Sequence, residues 1–207
     1  MTPLLDRNTI NECLLAVRPQ SILDVGCGSG RWLEWCQKHL IDYRGFDLDS
    51  EVVAKAQEKF EVGDEVFTTG DISFLKEQPD NSYDVILMVE VIEHIRAIEL
   101  FTETLKQCFR VTKRYVFMTT PNCSCDAMLK EHGLTYEHYA YAAADGMQFR
   151  HADRAHRHWL RFTFDNLKQH LERHFAGSFE LVEKYPIKIL TFPAYKKLWA
   201  VLTKEEE

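Results

Sequence analysis

No run of apolar residues in this chain approaches the roughly 18 that a membrane-crossing helix requires, so nothing in it is expected to span a bilayer. There is no basic excess either. Against 32 Asp and Glu stand 25 Lys and Arg, a net charge of −7, whereas broad phosphate-backbone binding requires a basic face. Nucleic acid is therefore a disfavoured partner. The six cysteines (13, 27, 36, 108, 123 and 125) include no Cys-x-x-Cys pair. Cys123 and Cys125 alone would leave a metal two ligands short, and nothing demands an oxidising compartment. Internal repeats and low-complexity linkers are absent. Met1 to Asp6 leads straight into a polar–apolar helix with no secretory signal, so a cytoplasmic location is expected. Lys188, Lys196 and Lys197 make a small basic group, for which a solvated edge is a sufficient account.

At 207 residues, 45% apolar and 28% charged, the chain suits one domain with a sizeable core. Its most informative stretch is Ser21-Ile-Leu-Asp-Val-Gly-Cys-Gly-Ser-Gly-Arg-Trp32. A short aliphatic run ends in Asp24 and is followed by glycines at 26, 28 and 30. An amphipathic helix then begins near Trp32. A strand, a tight glycine turn and a helix start form a place where backbone can approach a nucleoside closely. Triphosphate cradling would require Lys-Ser or Lys-Thr after the last glycine, and neither follows Gly30. A dinucleotide fingerprint counted from Gly26 would want a glycine where Arg31 stands, which would crowd helix–strand packing. NAD or FAD is disfavoured on that ground but stays an alternative.

The remaining pattern, aliphatic-aliphatic-Asp-aliphatic-Gly-x-Gly-x-Gly, resembles the S-adenosylmethionine loop of class I methyltransferases. There the ligand brings a sulfonium and an α-amino group, and an acid such as Asp24 suits a cationic ligand. Three later segments extend the resemblance. Tyr43-Arg-Gly-Phe-Asp47 ends a second strand in an acid suited to ribose hydroxyls, with Leu48 beside it. Gly70-Asp71-Ile72 follows a third strand, where the resemblance implies adenine contacts. Tyr83 to Glu90 is a fourth strand running into Val91-Ile-Glu-His-Ile95. The resemblance implies cofactor contacts from Asp24, Gly26, Cys27, Gly28, Gly30, Asp47, Leu48, Asp71 and Ile72, with Val89 lending backbone to the methionine moiety.

Periodicity gives alternating strands and helices, hence a doubly wound, mostly parallel sheet. Strands are expected at 21–25, 43–47, 65–69, 83–89 and 114–120. Helices are expected at 8–17, 30–40, 50–60, 96–110 and 163–174. Phe179–Tyr185 and Trp199–Thr203 match the sixth and seventh strands of the resembled fold, the seventh antiparallel. Cys13, Cys36 and Cys108 fall on apolar helix positions and are expected to be buried. Residues 123–162 break the order with a stretch rich in histidine and aromatics. Long connections of this kind are usually functional, and it is read as an acceptor-binding lid inserted within a single domain, 1–207.

Methyl transfer from a sulfonium is an in-line displacement, so the protein aligns the partners and, for some acceptors, removes a proton. His94 and His158 are the candidate catalytic residues, His94 as a base of near-neutral pKa on the turn after the fourth strand. Glu90-x-x-Glu93-His94, with a later His156 or His158, is also similar to small-RNA 2′-O-methyltransferases, which gather two glutamates and two histidines around a divalent ion. The same segment resembles the ubiquinone-biosynthesis O-methyltransferases. The acidic balance favours the latter, so no metal site is assigned. The expectation is methyl transfer to a small-molecule acceptor, an oxygen before a nitrogen. Metal-assisted RNA methylation and a catalytically inactive binding protein are the alternatives.

Overall fold

The computed structural model describes residues 4–122, 139–141, 149–151, 159–189 and 192–204. The first half alternates α1 (Ile10–Val17), β1 (Ser21–Val25), α2 (Leu33–Lys38), β2 (Asp42–Asp47), α3 (Ser50–Phe60), β3 (Phe67–Thr69), α4 (Ile72–Glu77) and β4 (Tyr83–Val89). Then come α5 (Ile98–Val111), β5 (Thr112–Pro121), β6 (Tyr139–Tyr141), β7 (Phe149–His151), α6 (Phe164–Phe175), β8 (Phe179–Ile189) and β9 (Phe192–Thr203).

Seven strands form one sheet in the order β3-β2-β1-β4-β5-β9-β8. β1 runs parallel to both β2 and β4, and β2 to β3. β8 and β9 are neighbours joined through residues 190–191 alone, too short for a crossover, so they run antiparallel. The sheet is the mixed, mostly parallel one expected. Its order reverses between β1 and β4, the switch point at which open α/β sheets bind ligands beyond the carboxyl ends of their strands. β6 and β7 form a separate antiparallel pair, Tyr139 opposite His151. They fall within the expected lid, most of which lies outside the described residues.

The chain divides into two compact units. The first comprises Met1–Val89, Thr104–Phe117 and Leu202–Glu207. Its core is the aliphatic run of β1 and β4, with Ile22, Leu23, Val85, Ile86, Leu87 and Met88 all fully buried. Such continuous runs mark strands covered on both faces. Cys13, Cys36 and Cys108 are fully buried, as their helical positions predict. Asp84 ties strand starts together, accepting the Gln20 N–H at 2.6 Å and pairing with Lys113 at 3.1 Å. α3 is capped by Asp49, whose carboxylate accepts the Glu51 and Val52 N–H groups.

The second unit comprises Glu90–Glu103 and Met118–Val201. Phe101 meets Phe162 edge-on with ring centroids 5.2 Å apart and lies 5.0 Å from the His170 ring. Thr163 and Asn166 form a reciprocal capping box that starts α6.

Three departures from expectation have physical causes. α4 was not expected, because Gly70-Asp71-Ile72 read as ligand contact. Asp71 instead N-caps this short helix. β8 and β9 are longer than the expected Phe179–Tyr185 and Trp199–Thr203, and each includes a proline, Pro186 and Pro193. Pro186 sits on the sheet's edge strand and Pro193 near the start of its strand, the two places where a missing N–H is tolerated. β3 is shorter, since Val66 and Phe67 spend their N–H groups on the Gly63 carbonyl.

Candidate functional site

Because β1 to β4 are parallel neighbours, the segments following them gather along one sheet edge. These segments, with the strand residues Asp24, Asp47 and Val89, include every cofactor-contact residue expected from sequence. The glycine turn is clamped onto the end of β2: the N–H groups of Gly26 and Cys27 both donate to the Phe46 carbonyl, at 2.9 and 3.0 Å. Gly28 donates its N–H to Asp47 Oδ2 at 2.9 Å, and Asp47 Oδ1 accepts the Asp49 N–H at 3.0 Å.

Gly28 and Gly30 both have left-handed backbone, with φ of 52° and 75°. Their surroundings differ. A Cβ built on Gly30 would lie 2.4 Å from Phe67 Cζ and 2.8 Å from Phe60 Cε2. Gly30 therefore seats the turn on the aromatic packing of α3 and β3. A Cβ on Gly28 meets nothing within 4 Å, so the turn opens onto free space there. An open backbone cradle with an acid at its side fits an adenosyl ligand carrying hydroxyls and no phosphate.

Asp24 lies beneath the turn and not on its rim. It is 2% exposed, and Tyr43 Oη donates to its Oδ2 at 2.8 Å. Burial pushes its carboxyl up to about 7, against the opposing pull of the Tyr43 bond and the Arg31 charge. Burial, reinforced by Asp24, also raises the Cys27 thiol far above its ordinary value, so this sulfur is no nucleophile.

Sequence reasoning missed Tyr43 and Gly45. Gly45 pairs with Asp24 across β1 and β2, and a Cβ there would come within 2.6 Å of Cys27 Cβ and 2.8 Å of the Tyr43 hydroxyl. A glycine inside a strand is the signal that could have found this close approach.

Along the same edge Leu48 is 72% exposed, an apolar side chain held in the open beside Asp47. Asp71 Oδ1 accepts both the N–H and the hydroxyl of Ser73, at 2.8 and 2.7 Å, which hold its carboxyl below the usual range. Ile72 and Val89 are half-buried.

The second unit begins at Glu90, which adopts left-handed backbone at φ 61°, unusual for a residue with a long side chain. Several bonds hold it. Its N–H donates to the Thr119 carbonyl at 3.1 Å, its Oε1 accepts the Thr119 hydroxyl at 2.7 Å, and its Oε2 pairs with Lys197 Nζ. Lys197, read from sequence as part of a solvated edge, is instead half-buried at 31% exposure and ion-paired. The pair joins residues 107 apart in the chain, beyond any local pattern.

Glu93 is 2% exposed. Its carbonyl accepts the N–H groups of Trp159 and Leu160, and its Oε2 accepts the Thr120 hydroxyl at 3.1 Å. Burial, and then the charge of Glu90, raises its carboxyl to about 8. His94 closes the 3-10 turn Ile92–His94 with its side chain exposed. His156 and His158 lie outside the described residues. Among the described residues no three His, Cys, Asp or Glu side chains are grouped to hold a metal ion, and no helix is long and apolar enough to cross a membrane.

Comparison with known proteins supplies the decisive observation: a family model described as "Methyltransferase domain" matches residues 4–174. The chain belongs to this methyltransferase family. A curated relative, (S)-tetrahydroprotoberberine N-methyltransferase of Eschscholzia californica, is 30% identical over 91 residues, 42% of this chain and 25% of that protein. The chain thus spans about a quarter of the length of the curated relative it matches.

Among solved structures, a SAM-dependent methyltransferase from Archaeoglobus fulgidus superposes with a TM-score of 0.68 at 18% identity, covering 94% of this chain and 93% of that one. One from Methanosarcina mazei gives 0.67 at 22%, covering 90% and 93%. The methyltransferase fold of this chain is therefore the class I fold that its glycine turn and strand-end acids resemble. Members of that superfamily draw their methyl group from S-adenosylmethionine, so this is the cofactor the fold calls for.

Proposed function

We propose that the chain is an S-adenosylmethionine-dependent methyltransferase acting on an oxygen of a small-molecule acceptor. The observation that carries this reading is Asp47, whose two oxygens receive backbone N–H groups at the open glycine turn. A carboxylate fixed in this way still has lone pairs for the two ribose hydroxyls of the donor. When bound, S-adenosylmethionine supplies a methyl group on a sulfonium, which leaves without needing a proton.

The chain's own residues then bind and orient. The backbone of Gly26, Cys27, Gly28 and Gly30 lines the amino-acid end of the donor, and Val89 lends its backbone to the same end. Leu48 and Ile72 offer apolar surface to the adenine, and Asp71 accepts from its exocyclic amine through Oδ2. Asp24, buried and held by the Tyr43 hydroxyl, supports the turn from beneath and does not touch the ligand.

His94 is the base that takes the acceptor proton, and its exposure leaves the imidazole accessible to a substrate. His158, the second catalytic candidate, lies outside the described residues. The chain works as a single domain, with residues 123–162 covering the acceptor. The four buried thiols of Cys13, Cys27, Cys36 and Cys108 suit a reducing compartment such as the cytoplasm.

One observation favours a second reading, a nitrogen acceptor, because the curated relative is named as an N-methyltransferase. A tertiary amine needs no base, whereas a hydroxyl does. Two measurements test the proposal. Titrating the methyl donor into the protein by calorimetry should give saturable heat, and no heat would end the reading. A screen of hydroxyl and amine acceptors with His94→Gln then separates the two acceptors.

A further inference from the structure

The sequence resemblance raises a divalent ion at Glu90, Glu93 and His94, and the described side chains do not fit one. Both Glu90 oxygens are engaged, Oε1 by the Thr119 hydroxyl and Oε2 by the Lys197 ammonium. A divalent ion on the same carboxylate would sit within a few ångströms of that ammonium, and the two cations would repel with little water between them. Glu93 points its Oε2 at the Thr120 hydroxyl from a buried position, with its carbonyl committed to Trp159 and Leu160. A hard cation asks for several ionised, convergent oxygens, and here the convergent charge is already answered.

We propose that Lys197 is a built-in counter-cation that takes the place of a metal ion at this corner and fixes the turn following Val89. Its role is positioning. Glu90 holds left-handed backbone at φ 61°, a conformation that persists only where the surroundings over-determine it. Thr119 fixes Glu90 through backbone and hydroxyl, and Lys197 closes the other oxygen. The inference goes beyond the proposed activity and holds for an oxygen or a nitrogen acceptor alike.

The test is manganese binding, followed by the electron paramagnetic resonance signal of free Mn²⁺, with cooperative thermal denaturation as the control for folding. The wild-type protein and Lys197→Arg should leave Mn²⁺ free at millimolar concentration. Lys197→Met should bind Mn²⁺ at least about tenfold more tightly, because it removes the repelling charge and leaves the carboxylate. Adding Glu90→Gln to Lys197→Met should abolish that gain.

Saturable micromolar Mn²⁺ binding by wild type, lost in Glu90→Gln, would overturn the proposal. So would a Lys197→Met protein that unfolds cooperatively like wild type and gains no Mn²⁺ affinity. Should Lys197→Met fail to fold, the wild-type and Lys197→Arg titrations still decide. Donor calorimetry is read separately, so a failure of the proposed activity and a failure of this inference give different patterns.

Discussion

The acids at the carboxyl ends of β2 and β3 and the acids that follow β4 are satisfied in opposite ways. Asp47 and Asp71 take their bonds chiefly from backbone N–H groups at most 19 residues away, and both stay accessible. Glu90 and Glu93 take theirs from side chains of β5 and β9, hydroxyls and an ammonium. Backbone donors survive any change of side chain, so the Asp47–Asp71 edge is fixed by the fold itself. The Glu90 corner is fixed by particular side chains, and a few substitutions would rewire it.

The contrast predicts that the two regions fail differently. His94→Gln should lower kcat for a hydroxyl acceptor by about a hundredfold or more while leaving donor affinity unchanged. A nitrogen acceptor should lose little, and the loss should shrink at alkaline pH if the hydroxyl is the group that must ionise. Steady-state kinetics beside donor calorimetry measures both. Asp47→Ala should do the reverse at the binding step, weakening the donor by about a hundredfold, since two ribose hydrogen bonds to a charged group are lost together. A donor affinity within threefold of wild type would remove Asp47 from the site.

Gly30→Ala should destabilise the protein by about 3 kcal/mol, combining left-handed strain with a methyl driven into the Phe67 ring. Gly28→Ala meets open space, so it should carry the strain cost alone and show a smaller shift in thermal denaturation.

The smallest effect is on pH. Asp24 rises from 3.8 unfolded to about 7 in the fold, so between those values the folded protein holds a proton that the unfolded chain has released. Stability must therefore fall as pH rises from about 4 to 7. Glu93 adds the same sign, from 4.5 to about 8. Denaturant titrations from pH 5 to 8 should slope downward, and Asp24→Asn should flatten the lower part of that slope.

Much of the architecture of the glycine turn was legible because its bonds are local. The run Ile22-Leu23-Asp24-Val25, the alternate glycines and the strand-ending Asp47 each declare a backbone requirement within a few residues. The boundaries of β1, β4 and α3 follow from clean periodicity and from the Asp49 cap. The strand-interior Gly45 was passed over because it lies outside the glycine turn, although its partner across the sheet is Asp24. The Glu90–Lys197 pair could not be read from either residue's neighbourhood, since the pleat of β9 and its place beside β5 decide where residue 197 points. α4 escaped notice for another reason: Asp71 serves as a helix cap in a segment that the resemblance had given to a ligand.

The sheet order also sets a timetable for synthesis. β9 is made after both β5 and β8 and lies between them, so β8 reaches the sheet only through it. A ribosome that has released β8 but not β9 leaves β5 with a bare edge, an invitation to mispair with another nascent chain. The short connection at residues 190–191 limits that exposure: β8 and β9 can zip into a hairpin in microseconds and dock together, completing the sheet in one motion.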